Sequence, residues 1–210
     1  AKLIEDFGIF AVAKDSEFEN INQVMDKLKE DPASITVAGA SSPGSMDHIQ
    51  FLIAAKEAGV ENLNEIRYVS FQGGEGIANV LGGHVDMIST GLAEVVGLIE
   101  SGDVRGLAVT SPERIETEAL NQVPTLKDEG IDTTFINWRG LFGPPNMPEE
   151  ALNFWRNNLK KMVETDQWNK ICQNNGWNKA FMDSEEFGEF LTEVNEDYKG
   201  ILSDIGMLAE

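Results

Sequence analysis

The chain is poor in the residues that carry most redox, metal and acid–base chemistry: it has one cysteine and two histidines among 210 residues. A single cysteine, Cys172, excludes an internal disulfide, and its place on the apolar side of a short helix with Trp168 and Ile171 makes it a core residue. Two histidines, His48 and His84, leave little material for a zinc site or a histidine-based triad. Cations are scarce too. Sixteen Lys and Arg stand against 36 Asp and Glu, and the net charge of -20 repels nucleic acid and anionic membrane surfaces, so neither is an expected partner. The excess acid is read as solubility or salt adaptation rather than as a cation site. No apolar run approaches the roughly 18 residues that cross a bilayer, and no charged, apolar leader opens the sequence. Secretion stays open, because residue 1 need not be the natural start.

What is present is ordinary globular composition, 41% hydrophobic and 25% charged, in a chain long enough for one large domain or two small ones. Short apolar runs alternate with small-residue turns and with helical periodicity, the rhythm of an α/β fold with a parallel, doubly wound sheet. Ile35 to Ala38 read as a strand, followed by the loop Gly39 to Gly44 and a helix burying Ile49, Leu52 and Ile53. Further strands are expected at Ile66 to Val69, Val85 to Ser89 and Leu107 to Val109, with helices through Ile77 and Val80 and through Leu92, Val95 and Ile99. Outside that unit, Gly8 to Ala13 read as a strand leading into a helix with a capping box at Ser16 and Glu19. The tail shows three helical patterns, from near Pro148, Asp166 and Ser184, with no strand ladder of their own.

A doubly wound sheet takes ligands beyond the carboxyl ends of its strands, where the small-residue loops lie. The loop Gly39-Ala40-Ser41-Ser42-Pro43-Gly44-Ser45 joins a strand end to a helix start, so free N–H groups, the helix dipole and serine hydroxyls favour an anion there. The same residues suit a plain Ser-capped turn. His48 is equally fitted to donate to a carboxylate or to pack on the neighbouring strand. Asp47 would repel a ligand carboxylate if it faced the cleft. Gly73 and Gly74 open a second helix toward the same crevice, without the lysine of a Walker loop or a complete dinucleotide fingerprint. Thr90 is a third contact, and Arg139 carries the planar fork that matches a carboxylate, or pairs with one of the many acids. His84 and Asp86 share a strand face but are too few for a metal site, and Asp86 is read as fixing a turn. The pattern calls for no cofactor and no metal. A hydrolase using Ser41 or Ser45 with His48 or His84 is disfavoured, because Pro43 stands where Gly-x-Ser-x-Gly needs its second glycine.

Taken in order, TVAGASSPGSMDHI, FQGGEGIANVLGGHVD, SGDVRGLAVTSPER, VPTLKDEGI and NWRGLFGPP resemble the substrate-binding receptors of tripartite tricarboxylate transporters, also called Bug proteins, over essentially the whole chain. The resemblance implies a type 2 periplasmic-binding-protein fold, two α/β lobes closing on a small carboxylate, with no catalysis. It implies that residues 8–144 form the second lobe with the crossing strands and that 145–210 form the C-terminal part of the first lobe. Family members begin with a first-lobe segment bearing a Pro-Gly-Gly-Gly type loop, which this chain lacks, so the N-terminal part of that lobe is expected to be absent from it. The implied ligand is a tri- or dicarboxylate held by Gly39, Ala40, Ser41, Ser42, Gly44, Ser45, His48, Gly73, Gly74, Thr90 and Arg139. Family loops are small and polar where this sequence has Pro43 and Asp47. The implied partners are the membrane permease subunits, the implied location is extracytoplasmic, either periplasmic or lipid-anchored, and the intact receptor is expected to be monomeric. A carboxylate-sensing or interaction subunit on the same fold is the alternative.

Overall fold

The computed structural model describes residues 1–72, 74–175 and 177–208. The chain divides into two units, a larger one of Phe7–Ile136 with Tyr198–Glu210 and a smaller one of Ala1–Asp6 with Asn137–Asp197. Among the described residues no helix is long and apolar enough to cross a membrane.

The larger unit is organised by side chains that change sides residue by residue along its strands. Strand β1 (Lys2–Ala13) sends Phe10 and Val12 to one face and Ile9 and Ala11 to the other. Strand β2 (Thr36–Gly39) splits Val37 from Ala38 in the same way, and β4 (Met87–Gly91) splits Met87 from Ile88. Helices α1 (Ile21–Glu30) and α2 (Met46–Glu57) cover the first face. Helices α3 (Glu75–Leu81) and α4 (Leu92–Glu100) cover the second. With β3 (Arg67–Ser70) and β5 (Val104–Val109), the strand order is β3-β2-β4-β1-β5. This is the expected doubly wound α/β architecture.

Two local expectations change. Strand β1 was expected outside the sheet, yet it lies between β4 and β5, antiparallel to both, while β2 runs parallel to β3 and β4. The reason is visible in the run Ile9-Phe10-Ala11-Val12: every side chain is fully buried, as befits a strand covered on both faces. Helix α1 starts after Asn20, whose side chain accepts from the Gln23 N–H at 3.0 Å. The hydroxyl of Ser16 instead accepts from the Phe18 N–H in the preceding turn.

In the smaller unit, the first residues of β1 pair antiparallel with β7 (Asn178–Met182), and the Leu141 N–H, just past β6 (Ile136–Gly140), donates to the Ala1 carbonyl at 2.9 Å. The tail therefore has a strand as well as its helices α5 (Glu149–Val163), α6 (Asp166–Asn175) and α7 (Ser184–Asp204). Five residues pairing with the far end of the chain give no periodic signal that the sequence could announce. Cys172 is buried on α6, as its position among apolar residues implied. Lys2 is buried as well. Its ammonium pairs with Glu5 and sits 4.3 Å from the centre of the Phe190 ring, so the charge is compensated twice.

Candidate functional site: a loop that cradles a carboxylate

The parallel strands β2, β3 and β4 end together, with Gly39 opposite Ser70, and this end carries the β2–α2 loop, the turn before α3 and the β4–α4 junction. Helix α2 is buried along most of its length, and its first two turns bring three polar residues inside: Asp47, His48 and Gln50. Each must find partners there, because an unpaired polar group away from water is costly.

Asp47 finds them in the loop itself. The N–H groups of Ala40 and Ser41 both donate to Asp47 Oδ2 at 2.9 Å, and the Ser41 hydroxyl accepts from the Asp47 N–H at 3.0 Å. Its other oxygen, Oδ1, is buried without a partner. Burial pushes the carboxyl above its ordinary value; the bonds from Ser41 and Ala40 pull it back, and the charge of Glu94 adds to the rise.

His48 is held from both sides. Its Nδ1 accepts from the Gly44 N–H at 3.0 Å, which requires the neutral ring, and Tyr68 lies over it at 4.4 Å between centroids. Burial pushes its pKa down to about 4. The Tyr68 hydroxyl donates to the Ser41 carbonyl at 2.7 Å, and burial pushes that phenol up to about 12. Gly39 makes room for this tyrosine: a Cβ there would stand 2.0 Å from its hydroxyl. Gly44, with φ of +79°, takes the left-handed turn that glycine adopts freely.

A second string of bonds ties the loop to the end of β4. The Ser89 hydroxyl donates to the Asp47 carbonyl at 2.6 Å, Gln50 Nε2 donates to Ser89 Oγ and to the Thr90 carbonyl, and the Thr90 hydroxyl donates to Glu94 at 2.8 Å. Gln50 fits only because β1 has Gly8 beside it, where a Cβ would fall 1.8 Å from the amide oxygen.

The structure thus brings Gly39, Ala40, Ser41, Ser42, Gly44, Ser45 and His48 together on one loop and helix start, with Thr90 linked to it through Gln50. Most of their backbone donors are spent internally: Ala40 and Ser41 on Asp47, Gly44 on His48, and Ser45 on the Ser42 carbonyl at 2.9 Å. Ser45 caps α2 by position without a side-chain bond. Gly74, at φ of +82°, precedes the short α3, and Gly73 lies outside the described residues. Arg139 stands in the smaller unit, where its guanidinium donates to Asn137 Oδ1 and, at 3.3 Å, to the Trp138 carbonyl. Asp86 accepts from the Thr36 N–H at 2.7 Å and so fastens the start of β2, while His84 is exposed. Among the described residues no group of three or more metal-ligating side chains is assembled. Sequence reasoning missed Tyr68 and Gln50. The only hint was two small residues, Gly39 on the strand beside Tyr68 and Gly8 on β1 beneath Gln50 of α2.

At the opposite end of the sheet lies a cleft of about 750 Å³. Its arginines are already engaged, Arg105 on the carbonyls of Lys14, Ser16 and Phe18 and Arg114 on Asp128, so it offers less binding chemistry than the loop end.

The fold is shared with solved solute-binding proteins. A TctC solute-binding protein from Polaromonas is 25% identical and superposes with a TM-score of 0.75 over 96% of this chain and 67% of its own. The malate-bound MatC of Rhodopseudomonas palustris, 17% identical, superposes at 0.75 over 97% of this chain and 68% of its own, and an adipate-bound R. palustris protein, also 17% identical, at 0.80 over 98% and 67%. A protein from the tcbD-tcbE intergenic region of Pseudomonas sp. strain P51 is 27% identical over 74% of this chain, which spans 45% of that relative's length. Residues 4–207 match the family described as the tripartite tricarboxylate transporter family receptor, and the chain belongs to that family.

Proposed function

We propose that this chain is the larger part of an extracytoplasmic solute-binding receptor that captures a small carboxylate and hands it to the membrane permease subunits of a tripartite tricarboxylate transporter. The observation that carries the reading is the match of residues 4–207 to the receptor family, on a sheet whose parallel strands β2, β3 and β4 end at one cluster of small-residue loops. The relatives solved with malate and adipate support the same ligand class.

The reading is one of binding without turnover. His48, the histidine nearest the serines, spends Nδ1 on a backbone N–H and its face on Tyr68, an arrangement that holds a loop rather than moves a proton. The larger unit serves as the second lobe of the receptor and the smaller unit as part of the first. We propose that the remainder of the first lobe is a further segment, found in the longer relatives, that covers the exposed apolar side chains of the smaller unit. Titration calorimetry of the protein carrying that segment, against citrate, malate, adipate, amino acids and aromatic acids, tests the reading. Heat with at least one carboxylate is expected; silence across the panel would sink it. The 210-residue chain alone is expected to bind the same ligand more weakly, because enclosure from both sides contributes much of the affinity.

A further inference from the structure

Asp47 stands where a ligand's carboxylate would stand. It is 2% exposed, it takes the N–H groups of Ala40 and Ser41 onto one oxygen, and it leaves Oδ1 buried and unpartnered. A side chain serving only to cap a turn has no need to bury a lone acceptor, since an exposed serine or asparagine caps equally well. The other residues around it hold it in this position: the Ser41 hydroxyl takes its N–H, and Ser89 donates to its carbonyl. Glu94 adds a second negative charge nearby. A further carboxylate entering this loop would meet two acids and find both convergent N–H donors already used.

We propose that Asp47 is an internal occupant of the loop's carboxylate cradle and thereby a specificity-determining residue: the ligand end that meets this loop is not a carboxylate. What remains for that end are the hydroxyls of Ser42 and Ser45, neutral groups suited to a hydroxyl or amide. The receptor then prefers a ligand with one carboxylate, held elsewhere, over one with a carboxylate at both ends. This consequence for ligand choice rests on the carboxylate-receptor reading; the internal occupancy does not.

The experiment is chemical rescue on the whole chain, read by amide NMR with acetate as the probe. In D47A the Ala40 and Ser41 amides should move away from their wild-type positions and return, saturably, as acetate is added. Wild type should not respond at these amides. D47N keeps an oxygen in the cradle and should stay insensitive to acetate, which separates occupancy from charge. Should D47A lose its dispersed spectrum, D47S, too short to reach both N–H groups, serves in its place. Amides that ignore acetate in a folded D47A or D47S, or that respond equally in wild type, overturn the proposal. If acetate rescues D47A while the calorimetric panel stays silent, the receptor reading fails and the internal occupant stands.

Discussion

The two units of this chain solve the burial problem to different degrees. In the larger one, both faces of the sheet are covered and Ile9, Phe10, Ala11 and Val12 are wholly buried. In the smaller one, α5 runs for 15 residues yet buries Leu159 alone, and Phe142, Phe154 and Trp155 are 69%, 59% and 51% exposed. An amphipathic helix exists to bury its apolar stripe, and clusters of exposed aromatics mark a surface made to be covered. In the aromatic group beside a cavity of about 1110 Å³, Trp138 meets Phe187 and Phe190 edge to face, those two rings stack on each other, and Phe142 lies tilted against Trp138 and Phe187. The difference is one of coverage: one unit closes its own core, the other leaves much of its apolar surface exposed.

The sharpest way to break this comparison is to cut the same kind of side chain from each unit. Phe10 is fully buried and meets Phe51 edge to face at 5.5 Å. Phe10→Ala is expected to cost about 3–5 kcal/mol, read as a lower urea midpoint for the larger unit. A loss under about 1 kcal/mol would mean that the larger unit's core is not closed as described. Gly8→Ala comes next. The new methyl would displace the Gln50 amide from a slot with no spare room, and a loss of about 1–3 kcal/mol is expected in thermal melts. A matching change at Gly188, where an added methyl would meet nothing within 4 Å, should not destabilise its helix, since alanine favours helix over glycine.

Acid should strike the larger unit first. His48 is neutral in the fold, with a pKa lowered from 6.5 to about 4 by burial. The unfolded chain therefore binds this proton more readily, so the stabilisation is intact above pH 6.5 and is lost as the pH falls toward 4. The full effect is on the order of 2–3 kcal/mol. Asp47 works the other way. Its carboxyl is raised, so just above the ordinary carboxylate value the folded state takes up the proton first and regains a little stability as pH falls. His48→Gln should flatten the upper part of this slope in chemical denaturation followed at several pH values; an unchanged slope would show that the ring is not the group responsible.

Much of the larger unit was legible in the sequence because its signals are local. Apolar runs, Gly-rich turns and helical stripes each report on a few neighbouring residues, and the order of motifs carried the family. Position within the sheet was less so: the buried run in β1 announces two covered faces but not which strands flank it. The loop after β2 was legible as a place where N–H groups gather. Which acid fills them was not, because the Asp47 side chain turns back on its own loop, and no spacing rule separates that from pointing into a cleft. Tyr68 and Gln50 were missed for the same reason, since each packs on a glycine distant in sequence, Tyr68 from the neighbouring strand and Gln50 from helix α2.

The smallest expected effect is the most informative about the smaller unit. Phe154 lies exposed on α5 next to Trp155, their rings edge to face at 5.6 Å. With little area buried, Phe154→Ser should change the stability of the 210-residue chain by no more than about 0.5 kcal/mol. The same substitution in the longer protein, where we propose that a further segment covers this face, should cost about 2 kcal/mol or more, because the ring is then removed from a packed core. The contrast between the two backgrounds is the measurement. Equal, small effects in both would place Phe154 on a surface that stays open and would remove the argument that the smaller unit is the uncovered half of a lobe.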